Sequence, residues 1–521
     1  MEIPLFFSKK NPLLPQQWLF FFGCLFSALP IWLSTYPPML DIPLHGNQIA
    51  TLLRLLSGTE LNASSLEINW FTPYWLGYAS VALLGLCMPI LTAIKIILSL
   101  TVIATPWLAA RLRELVSNDN SRDWLFLPVI YSFSFQAGLF NFIVGIPLIL
   151  LFLRKSILYF QTAEVNFRTK FTIVFLSHIL FFTHILSLAF SLLIALSIGI
   201  FLSEDVKKSI KNRSLKFINK QFFLHLLPFF SSFPIIICWL FHVKPHLFHL
   251  YNFQNSIPIL IINLYRFLIM LSSATGFIYF YKMGIVYAII LLFLPNSKIL
   301  RNWRALPFAI TVLILLFVPT GSNGGNFIAE RFNVFIFIFY VFSFDFSRMN
   351  EILTYTQRSL LFAFASFFVL MTTTYKTLQF DKETQGLKNI IAKMEPHHSV
   401  AAIIDDLGEK YAYPVFGSIT YWYHTEKNGY GNSFFSIPSS IVQFKTNVSN
   451  PFPPSQFLLS EYQWDKNALK FDYFIIKGNI STFSSAFLSD LKKYTQPIYH
   501  EGEWHLYLRH TKTSAITAKP A

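Results

Sequence analysis

The segment NFIVGIPLILLFLRK, residues Asn141–Lys155, shows what decides the fold of this chain. A long apolar run ends abruptly in the basic pair Arg154 and Lys155. An α-helix rises about 1.5 Å per residue, so about 20 apolar residues cross the roughly 30 Å hydrocarbon core of a bilayer. Similar runs recur from Gln17 to Gln379 and then stop. The pattern predicts a helical protein that crosses a membrane many times.

The composition indicates the same class. Hydrophobic residues make up 54% of the 521 residues and charged residues only 13%, about half the charged share of a soluble domain. The net charge of +15 reflects Lys and Arg in short loops between apolar runs, where they orient a membrane protein. Nucleic acid is therefore not an expected partner. The three cysteines lie inside apolar runs without metal-ligand spacing, so neither a disulfide framework nor a zinc site is predicted.

Basic loops set the predicted topology. Lys9 and Lys10 place the N-terminus in the cytoplasm, so the first span, Trp18 to Ser34, ends outside. The later basic clusters are all cytoplasmic if residues 69–112 cross once; two crossings would put several of them outside. The single crossing predicts eleven spans. After the first, they cover about 89–110, 124–139, 141–157, 171–184, 186–203, 221–241, 277–294, 305–320, 332–347 and 359–378. Residues 242–271 then lie outside as interfacial helices.

Two domains are predicted. Residues 1–379 form the transmembrane domain, with an outer loop, 35–88, that carries juxtamembrane helices. Residues 380–521 form a small extracytoplasmic α/β domain, because short apolar segments such as VAAIID, DYFIIKG and WHLYLRH alternate there with polar turns, and AFLSDLKKY is helical in pattern. The aromatic stretch ITYWYHTEKNGYGNSFF suits either sugar stacking or a strand pair with a glycine turn.

The outer loop contains the first group of candidate functional residues. In YPPMLDIPLHGNQIATLLRLL, residues Tyr36–Leu56, Asp41, His45 and Arg54 follow the first span. A carboxylate near an imidazole and a guanidinium suits a base that acts on a hydroxyl beside a clamp for phosphate. The alternatives stay open: Asp41 is also a good helix N-cap after a proline turn, and His45 could only orient a neighbour.

A second group lies at predicted outer ends of spans. Asn141 follows the tight turn in FQAGLFNF, His184 interrupts FFTHILS, and Glu330 with Arg331 follows the glycine-rich GSNGG. A histidine in an apolar run needs a partner or a wet cavity, so His184 indicates either substrate contact or a helix-to-helix hydrogen bond. Arg331 can hold a phosphate with two hydrogen bonds, or it can extend to lipid headgroups. GSNGG is not a nucleotide P-loop, because GxxxxGK[ST] is absent.

These features together resemble the integral-membrane glycosyltransferases of the GT-C fold, which use polyprenyl-phosphate-linked sugars. The resemblance lies in the first span followed by the acidic outer loop PPMLDIPLH, in the many short-looped spans and in the outer C-terminal domain. FNFIVGIPLILLFL, FFTHILS and ERFNVFIFIFYVF also look like stretches of bacterial multi-span proteins grouped near these enzymes.

The resemblance implies an enzyme of the bacterial inner membrane, active in the cell envelope as a hexosyltransferase. It would move a sugar from a polyprenyl-phosphate donor to an outer glycan, lipid or protein, with Asp41 as general base and His45 beside it. Arg54, Asn141, His184, Glu330 and Arg331 would contact the substrates. Many GT-C enzymes pair two acids in this loop, whereas Ile42 follows Asp41. A divalent cation is therefore an open requirement, and no other cofactor is implied.

Two other functions stay open at the level of sequence. A transporter or polymerase of lipid-linked glycans would need charges along a path inside the membrane, and only Lys95, His178, His184 and Arg266 fall near that depth. A non-catalytic envelope assembly protein would use the outer domain to bind a partner.

Overall fold

The fold is seen in a computed structural model. The residues that it describes are 15–162, 166–202, 225–242, 250–251, 259–276, 279, 281–292, 303–322, 325–344, 346–429, 440–445, 448 and 456–510.

Helices make up most of the described chain. The α-helices, in chain order, are α1 (Pro15–Ser27), α2 (Leu29–Trp32), α3 (Ile42–Ser57), α4 (Trp75–Gly85), α5 (Ile90–Arg113), α6 (Phe133–Gln136), α7 (Phe140–Gln161), α8 (Phe167–Thr183), α9 (Ile185–Leu202), α10 (Phe233–His242), α11 (Ile259–Ala274), α12 (Tyr281–Leu292), α13 (Leu306–Phe317), α14 (Asn333–Ser343), α15 (Ser347–Ile352), α16 (Tyr355–Lys393), α17 (Tyr421–Lys427), α18 (Trp464–Asn467) and α19 (Ser485–Tyr494).

The strands are short and fall into three small sheets. They are β1 (Leu66–Ile68), β2 (Leu250–Tyr251), β3 (Gly321–Ser322), β4 (Gly325–Asn326), β5 (Val400–Ile404), β6 (Val442–Phe444), β7 (Gln456–Leu458), β8 (Tyr473–Lys477), β9 (Thr495–Glu501) and β10 (Trp504–Arg509). Antiparallel pairs join β1 to β6, and β3 to both β2 and β4.

The chain divides into two compact units. The helical unit comprises Met1–Ser34 and Asn69–Thr377, and the C-terminal unit comprises Thr35–Ile68 and Leu378–Ala521. The boundary predicted at residue 379 falls inside the continuous helix α16. The first half of the predicted outer loop belongs to the C-terminal unit and not to the helical one.

In the helical unit, α7 packs against α5, α8 and α9. Gly145 permits close approach of α7 and α9, because a Cβ at that position would lie 2.7 Å from Ser187 Oγ. In the part of the chain that the structure describes, α5, α7, α9 and α16 are long and apolar enough to cross a membrane. The count of eleven spans stays a prediction.

Helix boundaries match the predicted spans at some places and not at others. The predicted break between 171–184 and 186–203 is confirmed as the break between α8 and α9. The continuous helix expected over 124–139 is wrong, since this stretch holds only the end of a 3₁₀-helix, Ser121–Phe126, and the four-residue α6. Pro128 lacks an amide hydrogen, and the first amide of α6 donates to Ser273 Oγ over 2.7 Å, so two helical hydrogen bonds are lost.

The C-terminal unit is built on a five-stranded sheet in the order β7-β5-β8-β10-β9. β5 is parallel to β7 and β8, whereas β10 is antiparallel to β8 and β9. Every residue of β5 and β8 is buried, as expected for parallel strands covered on both faces. The predicted α/β class of this region is therefore confirmed. The aromatic TYWY stretch, by contrast, contributes to helix α17 and not to a strand.

Residues 35–68 are built into the C-terminal unit. Helix α3 packs against α17, and β1 pairs with β6. The side-chain amide of Gln48 accepts from Val442 N over 3.1 Å and donates to Val442 O over 3.4 Å. Tyr36 stacks on Trp422 at a centroid separation of 5.3 Å and donates to Glu426 Oε1 over 3.0 Å. The candidate residues of this loop are thereby held on a packed scaffold.

Candidate functional site

The break between α8 and α9 positions His184. The residue has an extended backbone, with φ −169° and ψ 127°, between the last residue of α8 and the first of α9. Its ring lies edge-on to the rings of Tyr74 and Phe142, at centroid separations of 4.9 and 5.6 Å. The side chain is buried, and a buried imidazole requires hydrogen-bond partners.

Arg331 reaches the same imidazole. Its Nη1 lies 2.7 Å from His184 Nε2, while Nε donates to Phe327 O over 2.9 Å and Nη2 donates to Asn326 O over 2.6 Å. Phe327 has a φ of 60°, in the left-handed region that a bulky residue rarely adopts. Backbone strain of this kind persists only where the surrounding structure holds it, and it clusters at functional sites. The strained turn presents carbonyls that orient the guanidinium toward His184.

Both ring nitrogens of His184 face hydrogen-bond donors, and a neutral imidazole cannot accept from both. Arginine only donates, and a neutral imidazole has one acceptor nitrogen. The Leu186 amide donates to His184 Nδ1 over 3.1 Å, so in that tautomer Nε2 carries the proton. Nε2–H and Arg331 Nη1 then face each other as two donors. The opposite tautomer satisfies Arg331 but withdraws the acceptor from the Leu186 amide. An anionic oxygen that enters this contact and separates the two nitrogens accepts from both, as phosphate oxygens do.

Glu330 is adjacent to Arg331 but has a different partner. Its Oε1 lies 3.3 Å from Arg266 Nη1, and Arg266 also donates to the carbonyls of Leu315 and Val318. Within the described residues, Glu330 Oε2 is buried without a hydrogen-bond partner. Burial raises the pKa of the Glu330 carboxyl, against the opposing effects of its own backbone amide, Arg266 and Arg331. A buried carboxyl with a raised pKa beside cations is a candidate for proton transfer.

Asn141 occupies the first turn of α7 and faces α4. Its Oδ1 is buried and has no hydrogen-bond partner among the described residues. Gly77 makes room for this amide, because a Cβ at Gly77 would lie 2.3 Å from Asn141 Oδ1. Sequence analysis missed Gly77, since nothing in the local pattern links it to a residue 64 positions away.

Asp41 and His45 open helix α3 in the C-terminal unit. Asp41 stands at the N-cap position, as the capping alternative expects, but makes no side-chain capping hydrogen bond. Its carboxylate is half-buried, and its carbonyl accepts from the His45 amide over 3.1 Å. His45 is buried within the first turn and a half of the helix.

Arg54 ties the end of α3 to its surroundings. Its Nε donates to Glu60 Oε2 over 2.7 Å, Nη1 donates to Asn428 Oδ1 over 3.0 Å, and Nη2 donates to Thr51 Oγ1 over 2.9 Å. This geometry gives Arg54 a structural role between α3 and the end of α17. Its predicted contact with phosphate stays a prediction.

His424 is a buried histidine that sequence analysis missed. It lies on α17 and is 1% exposed, and its Nε2 has no hydrogen-bond partner in the described part of the chain. Burial, helped by the positive charge of Arg54, lowers the pKa of His424 to about 3. The imidazole is therefore neutral at physiological pH. The stretch ITYWYHTEKNGYGNSFF suited either sugar stacking or a strand pair with a glycine turn and gave no sign of a buried histidine.

The predicted site residues therefore fall into two groups. His184 and Arg331 contact each other in the helical unit, where Glu330 and Asn141 also lie, and Asp41, His45 and Arg54 share one helix of the C-terminal unit. Among the residues that the structure describes, no three His, Cys, Asp or Glu side chains are placed to hold a metal ion. No family model, curated protein or solved structure matches the chain.

Proposed function

We propose that the chain is a membrane glycosyltransferase that binds the phosphate of a polyprenyl-phosphate sugar at His184 and Arg331. The observation that carries the proposal is the 2.7 Å contact between His184 Nε2 and Arg331 Nη1, which are both donors when the Leu186 amide donates to His184 Nδ1. His184 and Arg331 lie in the helical unit. The four long apolar helices are long enough to anchor this unit in a membrane, which favours a lipid substrate.

In this reaction an acceptor hydroxyl attacks the anomeric carbon of the sugar, and the bond from that carbon to the phosphate oxygen breaks. The bonding electrons leave with the lipid phosphate, so negative charge grows on it. Hydrogen-bond donors that are already in place where charge develops make the largest single contribution to the rate enhancement of many enzymes. Arg331, oriented by two backbone carbonyls, and His184, held between two aromatic rings, meet this requirement.

The acceptor proton needs a base, and we propose Asp41 for that role. The proposal rests on its position in the loop after α2, at the start of α3. The sugar is then transferred in one inverting displacement, with the proton on Asp41 and the lipid phosphate as the second product. We further propose that this loop and the C-terminal unit lie on the extracytoplasmic side of a bacterial inner membrane.

The test is sugar transfer by the purified full-length protein in detergent, with a panel of polyprenyl-phosphate sugars as donors. Arg331→Gln should reduce turnover about 100-fold, the effect of removing one donor from a developing anion. Arg348→Gln is the matched control, because Arg348 is exposed and its loss removes the same charge. Wild-type activity that survives Arg331→Gln unchanged would overturn the phosphate site.

Asp41→Asn tests the base separately. This variant should bind the donor as the wild type does and lose turnover, since an amide cannot accept the acceptor's proton. Donor binding without turnover in the wild type itself, over the whole panel, would favour transport or binding over transfer.

A further inference from the structure

Two adjoining recesses of the helical unit lie between α1, the end of α5 and the start of α16. The polar recess has a volume of about 320 Å³, and its wall is rich in charged and amide side chains, among them Gln16, Arg111, Glu114, Asn118 and Tyr355. The apolar groove has a volume of about 490 Å³ and is lined chiefly by Leu19, Phe22, Phe26, Leu360, Ala363 and Phe367. Leu19, Trp124 and Ser359 line both, so the two are continuous.

The order of the two recesses matches the layers of a bilayer. The polar recess lies where α5 ends and where α1 and α16 begin, and the apolar groove continues along α1 and α16. Both α5 and α16 are long and apolar enough to cross a membrane. In such a membrane the polar recess lies at the level of the lipid headgroups, and the groove lies beside the acyl chains.

The apolar groove has room for one acyl chain. Leu19, Phe22 and Leu360 are each 60 to 66% exposed, and the rings of Phe26 and Phe367 close the far end at a centroid separation of 5.5 Å. At 1.5 Å per residue, the stretch of α1 from Leu19 to Phe26 is about 10 Å long. This is about two thirds of the hydrocarbon depth of one leaflet, which is half of roughly 30 Å.

The polar recess presents a cation and an anion side by side. Arg111 Nη1 donates to Glu114 Oε1 over 2.7 Å, and the guanidinium stacks on Trp107, 4.6 Å from the ring centroid. No other hydrogen bond joins the side chain of Arg111 or Glu114 to a described residue. Both side chains are partly exposed, at 25% and 32%. The other guanidinium nitrogens and the second carboxylate oxygen therefore remain accessible to a ligand.

The charges that line the polar recess balance. Arg113 and Asp123 also line it, but they are joined to each other by two hydrogen bonds of 2.8 and 2.7 Å. Arg154 is not among the lining residues, and its Nε donates to the Arg111 carbonyl over 3.1 Å. Among the described residues, Arg111 and Glu114 are therefore the charged side chains of the recess that a headgroup can engage. Such a pair complements a headgroup that itself carries both charges.

We propose that the polar recess and the apolar groove together bind a phospholipid with a phosphoethanolamine headgroup. The phosphate accepts hydrogen bonds from Arg111, a geometry that suits a guanidinium. The ammonium donates to Glu114, and one acyl chain lies in the groove. A choline headgroup has no N–H to donate, and a glycerol headgroup has no cation for Glu114. None of these residues belongs to the proposed transfer site, so either proposal can fail without the other.

The experiment is native mass spectrometry of the delipidated full-length protein in detergent, titrated with dioleoyl phosphatidylethanolamine, phosphatidylcholine and phosphatidylglycerol. We expect phosphatidylethanolamine to bind about tenfold more tightly than the other two, the usual consequence of a hydrogen bond between charged groups. Arg111→Gln should weaken the binding of phosphatidylethanolamine and phosphatidylcholine alike, because it removes the phosphate contact. Glu114→Gln should remove the preference for phosphatidylethanolamine over phosphatidylcholine.

The matched controls are Arg348→Gln and Glu351→Gln, since both residues are exposed and neither lines the recess. Exposed ion pairs contribute little to stability, so the variants of Arg111 and Glu114 should fold. Equal affinity for the three lipids, a preference for phosphatidylglycerol, or a preference for phosphatidylethanolamine that survives Glu114→Gln would overturn the proposal.

A further variant tests the apolar groove. Ala363→Phe fills the groove and should weaken the binding of all three lipids without changing their order. Ala365→Phe is the control, because Ala365 lies on the same helix and does not line the groove. Lipid binding that is unchanged by Ala363→Phe would show that the acyl chain lies elsewhere and would contradict the proposal.

Discussion

Two buried polar clusters, one in each unit, arrange their charges in opposite ways. In the C-terminal unit, Lys477 is fully buried and its Nζ lies 2.9 Å from Glu383 Oε1, with Asp406 and Glu503 carboxylates at 3.7 and 3.6 Å. The same ammonium stands 4.4 Å from the centroid of the Phe416 ring. One cation there meets three carboxylates and an aromatic face.

The cluster in the helical unit lacks this balance. His184 Nε2 and Arg331 Nη1 lie 2.7 Å apart and are both donors when the Leu186 amide donates to His184 Nδ1. Glu330 Oε2 and Asn141 Oδ1 are buried without partners among the described residues. Most buried polar groups in folded proteins have partners. A charge-balanced cluster therefore indicates a contribution to stability, and a cluster with facing donors and unpartnered oxygens indicates a place for a ligand.

The largest effect should come from breaking the charge-balanced cluster around Lys477. Lys477→Met leaves carboxylates near a buried apolar side chain, and loss of one partner from a buried ion pair typically destabilises a protein by about 3–5 kcal/mol. Thermal unfolding of the full-length protein measures this. Lys466→Met provides the control, because Lys466 is exposed. A shift no larger than that of the control would show that the cluster does not support the fold.

A smaller effect is expected where α4 meets α7. Gly77→Ala brings a Cβ onto Asn141 Oδ1, and overpacking of this kind costs about 1–3 kcal/mol, although alanine is the better helix former by about 1 kcal/mol. Asn141→Ala in the same chain should restore most of the lost stability. If the two effects simply add in a double-mutant cycle, Gly77 does not serve to accommodate Asn141.

The last effect concerns the pH dependence of stability in the C-terminal unit. The lowered pKa of His424, about 3 in the folded state, means that the unfolded chain binds more protons between pH 3 and the ordinary histidine pKa of about 6.5. Its contribution to stability is therefore complete above pH 6.5 and falls by up to about 1.4 kcal/mol per pH unit as the pH drops toward 3. His424→Gln should flatten unfolding curves measured across this window. An equal flattening by the exposed control His510→Gln would contradict this assignment.

The sequence was most informative where an apolar pattern determines structure directly. The helices α5, α7 and α9 follow long apolar runs, and β5, β8 and β10 follow short ones. It was least informative between these elements. The segment 124–139 is apolar enough for a span, yet its backbone bonds to a distant serine side chain instead of continuing a helix.

The same limit applies to the candidate site. Local motifs identified His184 and Arg331 separately, but the two residues are 147 positions apart in the sequence, and no periodicity indicates that their side chains meet. The docking of residues 35–68 into the C-terminal unit also depends on contacts between distant segments, such as Gln48 with Val442. The chemistry of individual residues could be predicted from the sequence, but which distant residues contact each other could not.

His184 and Arg331 are proposed above to form an anion site. We would measure binding of a short-chain prenyl monophosphate to the purified full-length protein, with the prenyl alcohol of the same chain as reference. We expect the phosphate to bind more tightly than the alcohol, Arg331→Gln to abolish this preference, and Arg348→Gln to retain it. Equal binding of phosphate and alcohol by the wild type, or a preference that survives Arg331→Gln, would contradict the claim.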